Sequence, residues 1–551
     1  MYMNTTKEFT PENTILSPDY RSGLLKRLNS KSSYDLVIVG AGVTGSGVAL
    51  DAASRGLKVL LVDAVDLAFG TSRWSSKLAH GGLRYLASGN VGIAQRSAVE
   101  RGILMEHTAP HLTRALPQVV AVQNYNPLSL IPRAGFIAGD LLRKAAGTSA
   151  KTLPRSRTIS AHKVRQFCPS VADHIKFGFV NYDGQLIDDA RLVTALARTA
   201  AGYGADILTH AHAEVSRGRD DEGMKSVTIT LDNGLPKKAT VPGGTIQVKA
   251  AGVVNATGVW AGDLEEEVTV TPSRGTHVVV DAEKLGNPTG ALTVAVPGSI
   301  NRFCFILPVQ LGRCYIGLTD EKAELEDVPH APEEDIQWIL DVVNRALKVS
   351  LTNGDVLAAF AGLRPLVEIH TKNATDKNSP TADLSREHLI LNNDGLITVT
   401  GGKLTEYRLM AEQTVDEALR DAKIRAKIRD VAAPCSTKKI PLVGASLAVS
   451  PGICQKMAAN RAHTFASMPH SMIQRYGDEA INVLHACSIP DGDKTIGNLD
   501  ITRAELAYTV THEGAVTIDD ILDRRTRIGL VPGDREEAES TAQEALKAVG
   551  L

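Results

Sequence analysis

The stretch from Tyr34 to Leu86 constrains this chain most, because a strand, a glycine turn, a helix and a second strand ending on an acid follow one another almost without interruption. Asp35-Leu-Val-Ile-Val39 is a nearly unbroken apolar run, the pattern of a strand covered on both faces in a parallel sheet. Gly40-Ala-Gly42-Val-Thr-Gly45 follows and fits G-x-G-x-x-G. The first glycine makes the tight turn, the second lets the backbone approach a pyrophosphate, and the third lets the helix lie close to the strand. The helix runs from Gly45 to Ser54 and closes at Arg55-Gly56, and Lys58-Val-Leu-Leu-Val62 then leads to Asp63, 18 residues past Gly45. A carboxylate at that place suits ribose hydroxyls and disfavours a 2′-phosphate. The context predicts a dinucleotide site rather than an ordinary glycine turn, with Gly40, Gly42, Gly45 and Asp63 as cofactor contacts.

No second glycine fingerprint follows Gly47, which argues for one bound dinucleotide rather than two. After Asp63 the chain carries Gly70-Thr-Ser72, Ser75-Ser-Lys77 and His80-Gly-Gly82. Such small residues let backbone run beside a flat ring, although a surface loop would read the same way.

A chain of 551 residues exceeds what one core supports, so two or three domains are expected. A hydrophobic content of 43% with 47 glycines fits a large α/β enzyme, and a net charge of −2 offers no global attraction for nucleic acid. Six cysteines lie at 168, 304, 314, 435, 454 and 487 without C-x-x-C spacing, which favours reduced thiols in a cytoplasmic compartment and no metal. The first thirty residues are polar, without a secretory signal, and no run is long and clean enough to span a bilayer. Leu128 to Lys144 mixes Leu130, Ile131, Phe136, Ile137, Leu141 and Leu142 with Arg133, Arg143 and Lys144. That composition suits either an interfacial amphipathic segment or a core helix with a basic solvated face.

The expected organisation is an N-terminal arm (1–30), a cofactor domain in three parts (31–108, 181–265 and 356–430), a substrate domain in two parts (109–180 and 266–355) and a C-terminal helical domain (431–551). Asp189 to Ala201 is helical by its apolar spacing, Ala205 to Thr209 is a strand, and Val227 to Leu231 before Asp232-Asn-Gly234 is a hairpin arm. Gln247 to Val254 is a strand ending at Asn255-Ala-Thr-Gly258, a small turn where doubly wound sheets bind ligands. From Thr269 to Thr319 alternation predicts an antiparallel sheet, while Val356 to Phe360 and Leu396 to Val399 are expected to return to the cofactor domain. Residues 109–180 show no clean helical period, and the charges of Thr517 to Arg527 read as a solvated face and a domain contact.

These residues resemble the FAD-dependent, aerobic-type glycerol-3-phosphate dehydrogenases. The resemblance rests on Asp35 to Leu86, Asp188-Asp-Ala-Arg-Leu192, Val254-Asn-Ala-Thr-Gly-Val-Trp260, Gly275-Thr-His277, Ile316-Gly-Leu-Thr-Asp320, Ala361-Gly-Leu-Arg-Pro-Leu366, Ser385-Arg386 and Gly401-Gly-Lys-Leu-Thr-Glu-Tyr-Arg408, in family order over roughly residues 20–530. Trp74 departs by putting a bulky ring into a loop of small residues. The family implies a Rossmann-like FAD-binding fold of the glutathione-reductase/D-amino-acid-oxidase type, an antiparallel-sheet substrate domain and oxidation of sn-glycerol 3-phosphate to dihydroxyacetone phosphate. Electrons then pass to membrane quinone, and the alternatives are an oxidase using oxygen or an enzyme of another 2-hydroxy acid or amine. A catalytically silent flavoprotein is disfavoured by the presence of His80, Arg364 and Lys403. The family also tips Leu128 to Lys144 toward peripheral contact with the cytoplasmic membrane face, and a homodimer is among the expected assemblies.

Three jobs need side chains. A phosphate dianion suits the guanidinium forks of Arg84, Arg364 and Arg386. An alcohol proton suits His80 or His277, and either could instead orient a neighbour or bind phosphate. Reduced flavin needs positive charge beside its pyrimidine ring, which Lys403 and the N–H groups of Leu404 and Thr405 after Gly402 could supply. Tyr85 and Thr276 are weaker substrate candidates. Thr71, Ser72, Ser76, Lys77, Gly81, Gly82, Ala256, Thr257 and Gly258 complete the expected cofactor contacts.

Overall fold

A computed structural model describes residues 7–28, 32–82, 85–86, 89–123, 131–240, 244–299, 302–367, 387–428, 432–445 and 468–551. Strand Ser33–Val39 lies at the centre of an eight-stranded sheet, parallel to Val59–Val62 on one side and to Thr245–Asn255 on the other. Asp206–Leu208 extends the sheet beyond Val59–Val62, while Leu396–Gly401 and then the antiparallel His388–Asn393 extend it beyond Thr245–Asn255. The unbroken apolar runs have a simple cause. Leu36 and Ile38 point into a core shared with helices Val43–Ser54, Asp189–Gly202 and Tyr407–Arg420, whereas Val37 and Val39 point into a second core over Ala211–Val215 and Lys225–Leu231. All four are buried, each stabilising the fold by roughly 1.5–3 kcal/mol.

The second sheet has ten strands and is antiparallel except where Ala291–Ala295 lies parallel to Thr113–Val122. Helix Glu333–Asn344 covers its outer face through Ile339, Leu340, Val342 and Val343. Val356–Val367 pairs along its length with Val270–Asp281, so Val356 to Phe360 belongs to this sheet and not to the cofactor domain. Its small and apolar residues fit either sheet; the antiparallel register with His277 decides. The glycine loop also crosses between the units, because Leu78–Ala79 pairs with Phe177–Leu186.

Residues 109–180 hold a fifteen-residue helix, Ile131–Ala145, which takes up most of the amphipathic stretch Leu128 to Lys144. Leu142 packs on Ala94 and Ala98 of helix Val91–Ile103, but Ile131, Ile137 and Leu141 are exposed. The reading of this segment as a core helix with a basic solvated face is thereby corrected.

The C-terminal unit is helical, with Arg503–His512 and Pro532–Ala548 around one core and His470–Tyr476 and Ala480–His485 around another. It is bolted to helix Asp189–Gly202 by buried pairs, Arg191 with Glu513 at 2.6 Å and Arg198 with Glu479 at 2.7 Å. Asp520, Arg524, Arg525 and Arg527 are buried, so this segment is a domain contact and not a solvated face. All five described cysteines are free thiols.

Candidate active site

The cradle at the end of Ser33–Val39 is built from glycines that cannot be exchanged. Gly40 has φ +102°, and a Cβ there would lie 2.6 Å from the Ala256 carbonyl oxygen. A Cβ on Gly45 would come within 1.8 Å of the Gly40 oxygen. Gly42, the N-cap of helix Val43–Ser54, has no side chain of its own to accept from the first turn, which leaves the start of the helix suited to phosphate. Ser72 closes the cradle by accepting from the Val43 N–H at 2.9 Å, and Thr71 donates to the Leu363 carbonyl at 2.7 Å. Asp63 accepts from the N–H groups of Ala41 at 2.6 Å and Val65 at 2.9 Å, and burial pushes its carboxyl up to about 6.

Asn255 holds the opposite wall. Its buried amide donates to the Ala261 carbonyl and accepts from the Thr257 hydroxyl at 2.7 Å, fixing the Ala256-Thr257-Gly258 turn. A Cβ on Gly258 would meet nothing within 4 Å, so open space adjoins this turn.

From Thr71 to Gly82 the chain forms a spine between the two sheets. Trp74 lies across Gly362, where a Cβ would come 2.6 Å from the Trp74 Cβ, and its ring stacks on Phe360 at 5.6 Å. The departing tryptophan is therefore accommodated by a glycine on the facing strand. Ser76 shares a hydrogen bond of 2.9 Å with His277 Nε2, and the His277 ring stacks on Phe360 at 4.8 Å. Gly317 makes room for that ring, since a Cβ there would lie 2.8 Å from His277 Cδ2.

His277 is buried, its Nδ1 lacks a hydrogen-bond partner among the described residues, and burial first, then Arg364 and Lys77, push the imidazole down to about 3. It is neutral in the folded protein at pH values above about 3. Because the unfolded imidazole keeps its ordinary value of 6.5, the unfolded chain binds the extra proton between pH 6.5 and about 3. Native stability therefore falls as pH drops through that window, by up to about 1.4 kcal/mol per pH unit from this residue. His277→Gln should give a shallower loss of urea midpoint on acidification than the wild type.

Arg364 shares the His277 face of the strand pair. Its guanidinium lies over Gly275, donates to the Ser273 hydroxyl at 3.2 Å and the Thr319 carbonyl at 3.1 Å, and pairs with Asp320 at 3.1 Å. Its side chain remains 25% exposed, enough for part of the fork to meet a ligand. Thr276 points the other way, being buried with its hydroxyl donating to Asp335. Strand alternation separates it from Arg364 and His277.

At the far end of the spine, His80 is half-buried and Gly81 donates its N–H to the Asp183 carboxylate at 3.1 Å. Arg101 neutralises Asp183 at 2.6 Å, and a Cβ on Gly81 would collide with that guanidinium at 2.2 Å. Gly82, at φ +80°, lies against Ala94 and Ser97. Lys403 meets the same place: its ammonium donates to Ser97 at 2.5 Å, pairs with Glu406 at 2.9 Å and lies 4.3 Å over the Tyr85 ring. Gly401 and Gly402 both take positive φ, and the short helical turn Leu404–Glu406 starts directly after Lys403. The Lys77 side chain turns inward: its buried ammonium pairs with Asp189 at 2.5 Å and donates to the Arg73 carbonyl. Arg84 and Arg386 lie outside the described residues.

Ser273, Asp183, Arg101, Glu406 and Ser97 were missed as site residues, and Ser76, expected at the cofactor, bonds to His277. Asp183 carried one signal, a lone acid inside the largely apolar strand Phe177–Leu186.

A glycine cradle at the carboxyl edge of parallel strands, with the loop after it running on into a second, mostly antiparallel sheet, is the build of a dinucleotide-dependent enzyme. The family model described as FAD dependent oxidoreductase matches residues 35–408, and that described as C-terminal domain of alpha-glycerophosphate oxidase matches residues 435–550. Glycerol-3-phosphate dehydrogenase 1 of Mycobacterium tuberculosis (strain ATCC 25618 / H37Rv) is 48% identical, covering 97% of this chain and 99% of its own. Glycerol-3-phosphate dehydrogenase 2 of the same strain is 33% identical over 94% of this chain and 84% of its own. The crystal structure of the glycerol-3-phosphate dehydrogenase from Bacillus halodurans complexed with FAD superposes with a TM-score of 0.68 at 25% identity, covering 97% and 96% of the two chains. The chain belongs to the FAD-dependent glycerol-3-phosphate dehydrogenase/oxidase family, and FAD is its cofactor.

Proposed function

We propose that this protein oxidises sn-glycerol 3-phosphate to dihydroxyacetone phosphate and passes the electrons to a membrane quinone. The observation that supports it best is the pairing on one strand face of Arg364, braced by Ser273, Asp320 and Thr319, with the neutral His277 beside it. The relatives named glycerol-3-phosphate dehydrogenase, matching almost the whole chain, support the same substrate. The cradle fits FAD because its glycine positions leave no room for side chains. Bound there, FAD supplies a two-electron acceptor for hydride from the carbinol carbon.

The chain's own residues divide the remaining work. Arg364 binds phosphate through its exposed fork and stays charged throughout. His80, half-buried and held by the Gly81–Asp183 bond, takes the hydroxyl proton. His277 is less suited to that step, since its Nε2 already engages Ser76 and its basicity is depressed. It orients Ser76 and keeps the face dry. Lys403, paired with Glu406, presents a local dipole beside the His80 loop.

The deciding experiment is anaerobic mixing of the purified holoenzyme with glycerol 3-phosphate while the flavin absorbance is followed. Bleaching followed by rapid recovery with a soluble quinone and slow recovery in air is the expected result. Recovery equally fast in air would make the protein an oxidase.

The helix Ile131–Ala145 supports the membrane part of this reading, because its polarity is inverted. Arg133 donates to Ser156, Asp140 accepts from Ser156, and Arg143 donates to the Thr148 carbonyl, so these charged groups turn toward the protein. Ile131, Ile137 and Leu141 turn outward, beside an exposed Val91 at the start of the neighbouring helix. Among the described residues no helix is long and apolar enough to cross a membrane. On this reading the outward apolar face rests on the lipid surface where quinone dissolves. Ile137→Asp with Leu141→Asp should abolish co-sedimentation with anionic vesicles and leave turnover with a water-soluble dye unchanged.

A further inference from the structure

The segment Asp519–Arg527 of the C-terminal unit reaches into the cofactor domain and grips one loop at two places. Its core is a π-helical turn, Asp520–Arg525. At the first place Asp66, fully buried, accepts from Arg524 Nε at 2.7 Å and from both terminal nitrogens of Arg525 at 2.7 and 2.8 Å. Asp520, also buried, accepts from Arg524 at 2.6 Å, from the N–H of Val516 at 2.8 Å, and from His210 Nε2 at 3.0 Å. His210 holds a left-handed backbone, φ +51°, and its N–H donates to the Val65 carbonyl at 2.7 Å. Val65 in turn donates to Asp63, the ribose-side carboxylate. A continuous chain of bonds thus runs from the C-terminal unit to the adenosine end of the cradle.

At the second place Arg527, again left-handed at φ +63°, is anchored by donation to the Asp523 carbonyl at 2.7 Å. Its guanidinium lies 4.8 Å over the Trp74 ring, and its Nε and remaining terminal nitrogen have no hydrogen-bond partner among the described residues. Trp74 is the residue that lies on Gly362 and stacks on Phe360, two residues before Ser76. Between the two places lie Thr71 and Ser72 of the phosphate cradle.

Asp66, His210 and Asp520 converge closely enough to suggest a metal ion, but Arg524 and Arg525 already occupy the carboxylates. Nor is plain domain cement a sufficient account. Buried ion pairs stabilise little compared with apolar packing of the same volume, whereas they fix geometry closely. The two grips fix the position of one loop, residues 63–77.

We propose that Asp519–Arg527 is a cofactor clamp: by holding the loop 63–77 in its FAD-binding shape before FAD arrives, the C-terminal unit sets how tightly FAD is retained. The proposal rests on FAD occupying the cradle. A loop ordered in advance does not lose that freedom on binding, and this is what makes affinity depend on the clamp.

The test uses full-length protein stripped of FAD and then titrated, with affinity, release rate and the visible flavin spectrum as readouts. Arg527→Gly is the informative variant, because glycine takes the left-handed backbone freely, so the side chain is removed without backbone strain. It should weaken FAD binding about tenfold as preorganisation is lost, with faster release, a shifted visible spectrum and an unchanged melting temperature of the stripped protein. Arg527→Lys should recover part of the affinity. Asp66→Asn should weaken binding further and also lower the melting temperature. Wild-type affinity and spectrum in both Arg527→Gly and Asp66→Asn would overturn the clamp and leave only domain cement. Wild-type protein that takes up no FAD would overturn the cofactor reading itself, and the clamp with it.

Discussion

Replacing His80 with Gln should lower kcat/KM for glycerol 3-phosphate by about 10²–10⁴-fold, the range expected when a positioned general base is removed. Glutamine keeps the size and one hydrogen-bond donor but cannot accept a proton at neutral pH. The loop should stay folded, because its anchors are the Gly81–Asp183 bond and the packing of Gly82 on Ala94, neither of which uses the imidazole. FAD content should accordingly match the wild type. The acid limb that His80 contributes to the kcat/KM profile should vanish in the variant, so that the residual rate varies less with pH. His277→Gln should leave that limb in place, since His277 is already neutral down to about pH 3. A loss in His277→Gln as large as in His80→Gln, together with loss of the limb, would transfer the proton to His277.

The cofactor half of the fold was legible because its signals are local. A strand buried on both faces writes itself as an unbroken apolar run, and the glycines of a tight turn sit at fixed offsets from it. Val356–Val367 was not legible in the same way: its residues suit either sheet, and only its register against Val270–Asp281 assigns it. The helix Ile131–Ala145 was legible as amphipathic but not in its orientation, because nothing in its pattern tells which face meets the protein. Among site residues, His277 and Arg364 could be named from their motifs, yet that they share a face follows from pairing Ser273 with Arg364 across two strands. Thr276 and Lys77 stood in the same motifs and face elsewhere, Thr276 by strand alternation and Lys77 because Asp189 draws its ammonium inward. The partners Asp183 and Ser97 lie 102 and 306 residues from Gly81 and Lys403, the motif residues they hold, and such pairings exist only in the folded chain.

Arg364→Ala is expected to lower kcat/KM for glycerol 3-phosphate by about 10²–10³-fold, corresponding to the 2–5 kcal/mol lost when one partner of a desolvated charge pair is truncated. The effect should fall mainly on KM if, as proposed, the guanidinium holds the phosphate and not the reacting carbon. Flavin should remain bound and yellow, since Arg364 contacts Ser273, Thr319 and Asp320 and none of the cradle glycines. Truncation also takes the guanidinium away from Asp320, to which the Ser273 hydroxyl still donates at 2.6 Å, so the pocket changes from a braced cation to an acid that repels phosphate. Arg364→Lys should recover little, as an ammonium can neither bridge Ser273, Asp320 and Thr319 together nor present a planar fork to two phosphate oxygens. Substrate selectivity gives the sharpest reading. The wild type should prefer glycerol 3-phosphate to glycerol by a factor that collapses in Arg364→Ala, while the weak reaction with glycerol changes little. Inhibition by inorganic phosphate should weaken in parallel. If selectivity survived and flavin were lost instead, Arg364 would belong to the cofactor site, and the phosphate would have to be held elsewhere in the cleft.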